Sequence, residues 1–263
     1  MNKAINKKIR ISAALATYNE ENNIVDCIES LKKVAGEIVV VDGKSTDRTA
    51  EIAKNLGARV IEKENEKMFH INKNKAIKNC KGDWILLLDA DERVNSQLAT
   101  EIKNVVKENP TANGYWINRK NWFLGGFLTK GGAYPDPVIR LFRNGKGRLP
   151  EISVHEQVKI DGNLGHLKND LLHIADPAFS RYLVRANRYT SLTAQKLKKE
   201  EVGKGIIQIV TYMFIKPMIT FLDIYFRHAG YKDGFRGFAW ALFSGAHHFW
   251  AYSKYLTDKD KIG

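Results

Sequence analysis

Asp89 and Asp91 are the residues of this chain best placed to do chemistry. They stand one residue apart at the end of the apolar run Leu86-Leu87-Leu88, with Glu92 beside them. Alternate residues of an extended chain project to the same side, so the two carboxylates can converge on one point. Such a pair suits a hard divalent cation, Mg²⁺ or Mn²⁺. Mg²⁺ is commonly shared between one or two carboxylates and substrate phosphates, so a nucleotide-handling site is the first expectation. Asp also caps helices, and this short segment alone does not choose between the two roles.

The elements that must position the pair are legible from periodicity. Apolar, β-branched runs predict strands over 9–16, 37–41, 59–62 and 84–88. Helical spacing predicts helices over 20–34, 49–55, 71–80 and 96–108. Strands alternating with helices imply a parallel sheet covered on both faces. Ligands in such sheets bind beyond the carboxyl ends of the strands. Three polar clusters fall at that edge: Thr17-Tyr18-Asn19-Glu20 after the first strand, Asp42-Gly43-Lys44-Ser45-Thr46-Asp47 after the second, and Asp89-Ala90-Asp91. An acid directly after the second strand can bind ribose hydroxyls or a base N–H. Gly-x-Gly-x-x-Gly and Gly-x-x-x-x-Gly-Lys-Ser/Thr are both absent, which argues against a dehydrogenase and a P-loop enzyme.

Composition narrows the partners. Lys plus Arg number 42 against 29 Asp plus Glu, a net charge of +13. That excess favours anionic lipid or phosphorylated sugars. No helix-turn-helix, zinc-finger or RNP pattern is present, so nucleic acid is not an expected partner. Cys27 and Cys80 form neither a disulfide framework nor a Cys-x-x-Cys site and read as plain helix residues in a reducing compartment. The first ten residues are polar and basic, and the short apolar stretch that follows runs into Tyr18, so no secretory signal is expected.

Taken together, Thr17-Tyr18-Asn19-Glu20-Glu21, Val39-Val40-Val41-Asp42-Gly43-Lys44-Ser45-Thr46-Asp47, Asn74-Lys75-Ala76 and Leu87-Leu88-Asp89-Ala90-Asp91 resemble a family 2 glycosyltransferase with the GT-A fold. The pieces come in that family's order over roughly residues 9 to 175. Trp122-Phe123, Tyr134-Pro135-Asp136, Arg140-Leu141-Phe142-Arg143 and Val154-His155-Glu156 resemble, more softly, the branch with bacterial lipopolysaccharide-core β-glucosyltransferases.

The resemblance implies a GT-A catalytic domain over 1–176, with a nucleotide-sugar half (1–95) and an acceptor half (96–176). It also implies a UDP-sugar donor, Mg²⁺ or Mn²⁺, and inverting transfer of one hexose to a lipid-linked glycan acceptor. The Gln-x-x-Arg-Trp motif of processive synthases is absent. On the same resemblance Thr17, Tyr18, Asn19, Glu20, Asp42, Lys75, Asp89 and Ala90 contact the nucleotide-sugar. Within that set Asp42 meets uracil or ribose and Lys75 lies near the phosphates. Asp91 binds the metal, and Asp89 touches ribose or a metal-bound water.

Inverting transfer needs a base for the acceptor hydroxyl and positive charge on the leaving diphosphate. Glu156, in the place of the family's second acidic motif, is the expected base, with Asp136 as runner-up. His173 is either a third metal or diphosphate ligand or a structural histidine. Trp122, Arg140 and His155 are acceptor-binding candidates. Strand alternation puts Arg140 and Arg143 on opposite faces. A nucleotidyltransferase would need a Gly-rich basic loop near its start, which is missing. An inactive scaffold would not need Asp42, Asp89, Asp91 and Glu156.

Residues 177–263 read as a separate helical region. A basic helix is predicted over 179–201, followed by Gly203 and Gly205. Residues 206–227 are apolar except for one stripe: Gln208, Tyr212, Lys216, Thr220, Asp223 and Arg227. Pro217 is expected to kink that helix. A second aromatic-rich segment, 235–255, carries Arg236, His247 and Lys254 on one side. A span needs about twenty mostly apolar residues, and Lys216, Asp223 and Pro217 argue against one. The expectation is two helices lying on the cytoplasmic face of a bacterial inner membrane, peripheral, with basic residues toward anionic headgroups. Covering the catalytic core or forming a dimer is the other reading, and the oligomeric state is not legible.

Overall fold

The computed structural model describes residues 10–66, 68–151 and 157–257. The chain forms two compact units. One comprises the residues up to Arg119 together with Asp136–His173; the other comprises Lys120–Pro135 together with the residues from Ile174 onward. The segment 120–135, read from sequence as part of the acceptor half, therefore clusters with the helical region.

The first unit opens with β1 (Ile11–Thr17), α1 (Glu21–Leu31), β2 (Glu37–Asp42), α2 (Thr49–Asn55), β3 (Arg59–Glu62), α3 (Phe69–Asn79) and β4 (Trp84–Leu88). Then come β5 (Glu92–Arg93), α4 (Ser96–Lys107), β6 (Gly114–Phe123), β7 (Gly126–Phe127), β8 (Asp136–Arg143), β9 (Gly147–Arg148), β10 (Lys159–Ile160), β11 (Leu164–His166) and β12 (Leu171–His173). The main sheet runs β3-β2-β1-β4-β8-β6-β12-β5. Its first four strands are parallel. β8 pairs antiparallel with both β4 and β6, and β12 with β5.

Parallel strands buried on both faces explain the unbroken apolar runs. Alternation divides them between two cores. Ala13, Leu15, Val40, Leu86 and Leu88 pack with Ile24, Cys27 and Ile28 of α1 and with Leu98 and Ile102 of α4. Ala14, Val39, Val41, Ile85 and Leu87 pack with Ala76, Ile77 and Cys80 on the α3 side. Both cysteines are buried and free. Burial pushes the Cys80 thiol up to about 12 and also raises that of Cys27, so neither is a ready nucleophile.

In the second unit, α5 (Phe179–Lys199) is followed by a continuous helix, Ile206–Arg227, a short 3₁₀ turn at Gly230–Asp233, and a last helix, Gly234–Thr257. The chain stays helical through Pro217. A π-helical turn, Thr211–Ile215, immediately precedes it and widens the helix where the proline ring crowds the preceding turn. The two long helices approach closely. A Cβ on Gly245 of the last helix would lie 2.6 Å from the Pro217 carbonyl oxygen. The 120–135 hairpin is tied to the same helices. The carboxylate of Asp233 accepts the Thr129 and Lys130 N–H groups at 2.8 Å each.

Part of the polar stripe of 206–227 turns toward the last helix, while Arg227 at its end stays exposed. Tyr212 stacks on Tyr252 with ring centroids 4.8 Å apart, and Thr220 Oγ1 meets His248 Nε2 at 3.0 Å. His247 and Lys254 also face inward, onto α5. His247 Nε2 meets Thr193 Oγ1 at 3.0 Å, and Lys254 Nζ donates to Asn187, Thr190 and Ser191. The reason is that hydroxyls, imidazoles and an ammonium between packed helices find partners there. Apolar side chains have no such requirement and face out. Ile207 (73% exposed), Phe214 (66%) and Ile219 (57%) are the clearest of these.

Candidate active site

The site grows from the carboxyl ends of β1, β2 and β4. Register pairs Thr17 with Asp42, placing the first two clusters side by side. Asp42 is 1% exposed. Its Oδ1 accepts the hydroxyls of Thr17 (3.0 Å) and Ser45 (2.7 Å), and its Oδ2 accepts the Ser45 N–H (2.7 Å). A carboxylate offers about four acceptor positions, so most of those on Asp42 serve the loop itself. Asp42 thus fixes the loop that follows β2 against the end of β1.

The two loops are then stitched together. Asn19 N–H donates to Ser45 Oγ (2.9 Å), and Thr46 N–H donates to Asn19 Oδ1 (2.8 Å). Glu20 N–H donates to Thr49 Oγ1 (2.7 Å). Asn19 holds a positive φ of 55°, a region Asn tolerates better than most residues. Tyr18 projects from this rim, 45% exposed.

At the end of β4 the acidic pair has separated into two roles. Asp89 is gripped from both sides: Oδ1 pairs with Lys73, and Oδ2 accepts from Arg140 Nη2 at 2.6 Å. Burial raises its pKa, but Arg140 and Lys73 outweigh that and hold the carboxyl well below the usual range. Both oxygens are thus engaged by cations, and the side chain remains 30% exposed.

Lys73, not Lys75, is the lysine of this site. Residues two apart on a helix face different ways. Lys75 turns to Glu66 (3.0 Å) and Asn72 (3.1 Å), while Lys73 is buried. The signal was available in the sequence: Lys73 shares the α3 core face with Ala76, Ile77 and Cys80.

Arg140 is not the acceptor-binding group expected from sequence. It is buried, and its Nη2 also donates to Glu92 at 2.7 Å, so it belongs to the donor-side network and not to an acceptor surface. Burial lowers its pKa, but Asp89 and Glu92 raise it further, keeping it charged. Strand alternation holds: Arg143 lies on the other face, with its guanidinium 4.8 Å from the Trp84 ring centroid.

Asp91 is the less tightly paired carboxylate: its side chain is 24% exposed, against 30% for Asp89, but among the described residues it forms no ion pair with a lysine or arginine. Its Oδ2 lies 3.4 Å from His173 Nε2, because β12 ends opposite β5. Burial pushes its pKa up, but the His173 hydrogen bond and charge bring it below the ordinary value. Ala90 between the two acids is buried, and its carbonyl accepts from Arg93 Nη1 at 2.6 Å. Among the described residues no three His, Cys, Asp or Glu side chains converge as a cation cage. Asp91 and His173 are nevertheless a carboxylate–imidazole donor set that Mn²⁺ accepts, with remaining positions open to water and substrate oxygens.

On β8, Asp136 pairs with Arg119 Nη2 at 2.8 Å. Trp122 lies in the second unit, edge-on to Phe127 with centroids 4.9 Å apart. His155 and Glu156 lie outside the described residues.

The profile of glycosyl transferase family 2 matches residues 12–150, more than half of the chain. The chain belongs to glycosyl transferase family 2. The match covers the β1, β2 and β4 strand ends that carry the site.

Among curated proteins, the lipopolysaccharide core biosynthesis glycosyltransferase LpsC of Rhizobium meliloti is 29% identical over 248 residues, covering 92% of this chain and 90% of that protein. Among solved structures, the mannosyltransferase PcManGT of Pyrobaculum calidifontis, in complex with GDP-Man and Mn²⁺, aligns with a TM-score of 0.53 at 15% identity. That alignment covers 95% of this chain and 88% of the other. TarS 1–349 of S. aureus in complex with UDP-GlcNAc aligns at 0.51 and 15% identity, covering 94% and 88%. These structural likenesses establish a GT-A-like fold for this family 2 glycosyltransferase.

Proposed function

We propose that this glycosyltransferase moves one hexose from a UDP-sugar to a hydroxyl of a lipid-linked glycan of the lipopolysaccharide-core type, with inversion. The observation that carries the reading is the Asp91–His173 pair beside a carboxylate already neutralised by Lys73 and Arg140. The full-length similarity to LpsC supports the acceptor class. A nucleotide-sugar in each of two structural neighbours supports the donor class, and Mn²⁺ in one of them supports the cation.

Asp91 and His173 would hold Mg²⁺ or Mn²⁺, which when bound supplies positive charge to the departing diphosphate. The stitched loops at Thr17–Glu20 and Asp42–Thr46 are the seat for base and ribose, with Tyr18 at the rim. Lys73 and Arg140 keep Asp89 charge-balanced beneath the phosphates. Glu156 takes the acceptor proton. Asp136 is the runner-up, its carboxylate being already engaged by Arg119.

The second unit serves attachment in this reading. Its 22-residue helix Ile206–Arg227 has a mean hydropathy of 1.4 and is long and apolar enough to cross a membrane; none of its most apolar stretch is buried. With Ile207, Phe214 and Ile219 facing out, the helix lies along the cytoplasmic leaflet of a bacterial inner membrane, where the net charge of +13 favours anionic lipid.

The test is incubation with labelled UDP-hexoses, Mn²⁺ and truncated core lipopolysaccharide. Transfer that Asp91→Asn abolishes is expected. Neither transfer nor donor hydrolysis with any UDP-sugar would sink the donor assignment. Transfer to a soluble sugar but not to lipid-linked core would sink the acceptor assignment.

A further inference from the structure

Glu92 has no exposed surface, yet neither the donor nor the acceptor chemistry above uses it. It closes the turn that carries the acidic pair, and does so twice. Its N–H donates to the Asp89 carbonyl at 3.0 Å, and its Oε2 accepts the Asp89 N–H at 3.0 Å. The turn Asp89-Ala90-Asp91-Glu92 is therefore locked by backbone and side chain together, with Asp91 as its third residue. Arg93 clamps the same turn through the Ala90 carbonyl.

The other carboxylate oxygen of Glu92 faces two arginines. Oε1 accepts from Arg140 Nη2 at 2.7 Å and pairs with Arg119 Nη1 at 3.5 Å. Arg140 goes on to Asp89, and Arg119 to Asp136. Glu92 thus touches both cations that hold the donor-side and acceptor-side carboxylates. Register adds a third link: Glu92 on β5 pairs with His173 on β12, which sets the imidazole against the neighbouring Asp91.

We propose that Glu92 is the positioning residue of this site: it sets the direction of Asp91 toward His173 and, through Arg119, the placement of Asp136. The inference rests on the reading of Asp91 as the cation and diphosphate group. A buried ion pair by itself is weak evidence of anything but local structure. What distinguishes Glu92 is the turn it closes and the two arginines it shares.

The test uses the full chain with Mn²⁺ and UDP as probes, followed by calorimetry and then by turnover. Glu92→Asp keeps the charge but is one methylene too short to reach both the Asp89 N–H and the arginines. It should weaken Mn²⁺-dependent UDP binding about 10- to 100-fold, the usual effect of losing a residue that orients a metal ligand. Binding of UDP without Mn²⁺ should not change. Glu92→Gln should do the same if it folds; if it does not, Glu92→Asp decides.

Arg119→Gln removes the cation that joins Glu92 to Asp136 and leaves the Glu92 contacts with Asp89 and Arg140 in place. It should leave Mn²⁺–UDP affinity unchanged while lowering kcat and raising the acceptor KM, by about 100-fold in kcat/KM if Asp136 shifts by an ångström. A folded Glu92→Asp with wild-type Mn²⁺–UDP affinity overturns the positioning role, because a merely structural residue would lower only the melting temperature. An Arg119→Gln variant with unchanged kcat and acceptor KM overturns the link to Asp136. If the wild type shows no Mn²⁺-dependent UDP binding, the reading of Asp91 fails and the positioning role falls with it. If Asp91→Asn abolishes that binding and Glu92→Asp does not, only the positioning role fails.

Discussion

In the first unit Glu92, Arg140 and Lys73 are closed off from solvent and paired with opposite charges, while in the second unit Ile207, Phe214 and Ile219 stand in the open. The two regions bury opposite kinds of residue. The site end of the sheet sequesters charge so that one carboxylate, Asp91, is presented with a defined direction. The helix pair sequesters hydroxyls and imidazoles, so what it presents is apolar. Each presents what suits its proposed partner: a carboxylate for a divalent cation in the first unit, apolar side chains for lipid in the second. The polar interior is costly in both places unless every group is satisfied.

The sharpest way to break this comparison is to unpair the charges of the first unit. Arg140→Met leaves Asp89 to Lys73 alone and Glu92 to the more distant Arg119, and should cost about 3–5 kcal/mol of stability, read by urea denaturation. A loss near zero would mean the cluster is not the electrostatic centre of the unit. Asp91→Asn should lower turnover about 10²–10³-fold, typical of removing one group that stabilises developing charge, with little change in melting temperature. In the second unit, Gly245→Leu puts a side chain against the Pro217 carbonyl and should cost about 1–3 kcal/mol as the helices separate.

Acid titration separates the regions further. Burial, reinforced by Lys254 for His247 and by His247 and Lys216 for His248, lowers both imidazole pKa values. The unfolded chain therefore takes up protons first, and the second unit loses stability as pH falls through about 6.5. Asp89 and Asp91 are depressed acids, so their contribution is present above about pH 3.9 and is lost only as pH falls through the lower folded values. Hydrogen exchange across a pH series should show the helices opening before the sheet, and His247→Gln with His248→Gln should delay that opening. The smallest effect on stability belongs to Phe214→Ser with Ile219→Ser, within about 0.5 kcal/mol. The same pair should reduce sedimentation with anionic vesicles, and unchanged sedimentation would detach this face from the membrane.

The strands and helices of the first unit could be read from the chain because burial on two faces and helical periodicity leave a strong local signature. Val39-Val40-Val41 and Trp84–Leu88 are the clearest cases. The clusters at Thr17–Glu20, Asp42–Asp47 and Asp89–Asp91 were placed at one edge for the same reason. Motif position points to Lys75, whereas helix phase puts Lys73 on the face of α3 that packs on the sheet, where it meets Asp89. The burial of Arg140 is not legible from its strand, because alternation shows which side a residue faces and not what lies there. Glu92 had no motif role to announce it. The inward turn of Thr220, His247 and Lys254 depends on helix pairing, which amphipathic periodicity does not specify.

Residue types and spacing by themselves determine the family, the α/β order and the edge of the sheet where the acids gather, because these follow from short-range periodicity and backbone direction. Only the tertiary structure decides which acid is gripped by cations and which faces an imidazole, since that depends on groups delivered from α3, β8 and β12, far away in the chain. It likewise decides that Tyr212 and Thr220 of helix Ile206–Arg227 meet the last helix while Ile207, Phe214 and Ile219 face out, because a helix carries both faces in its sequence and only packing selects between them.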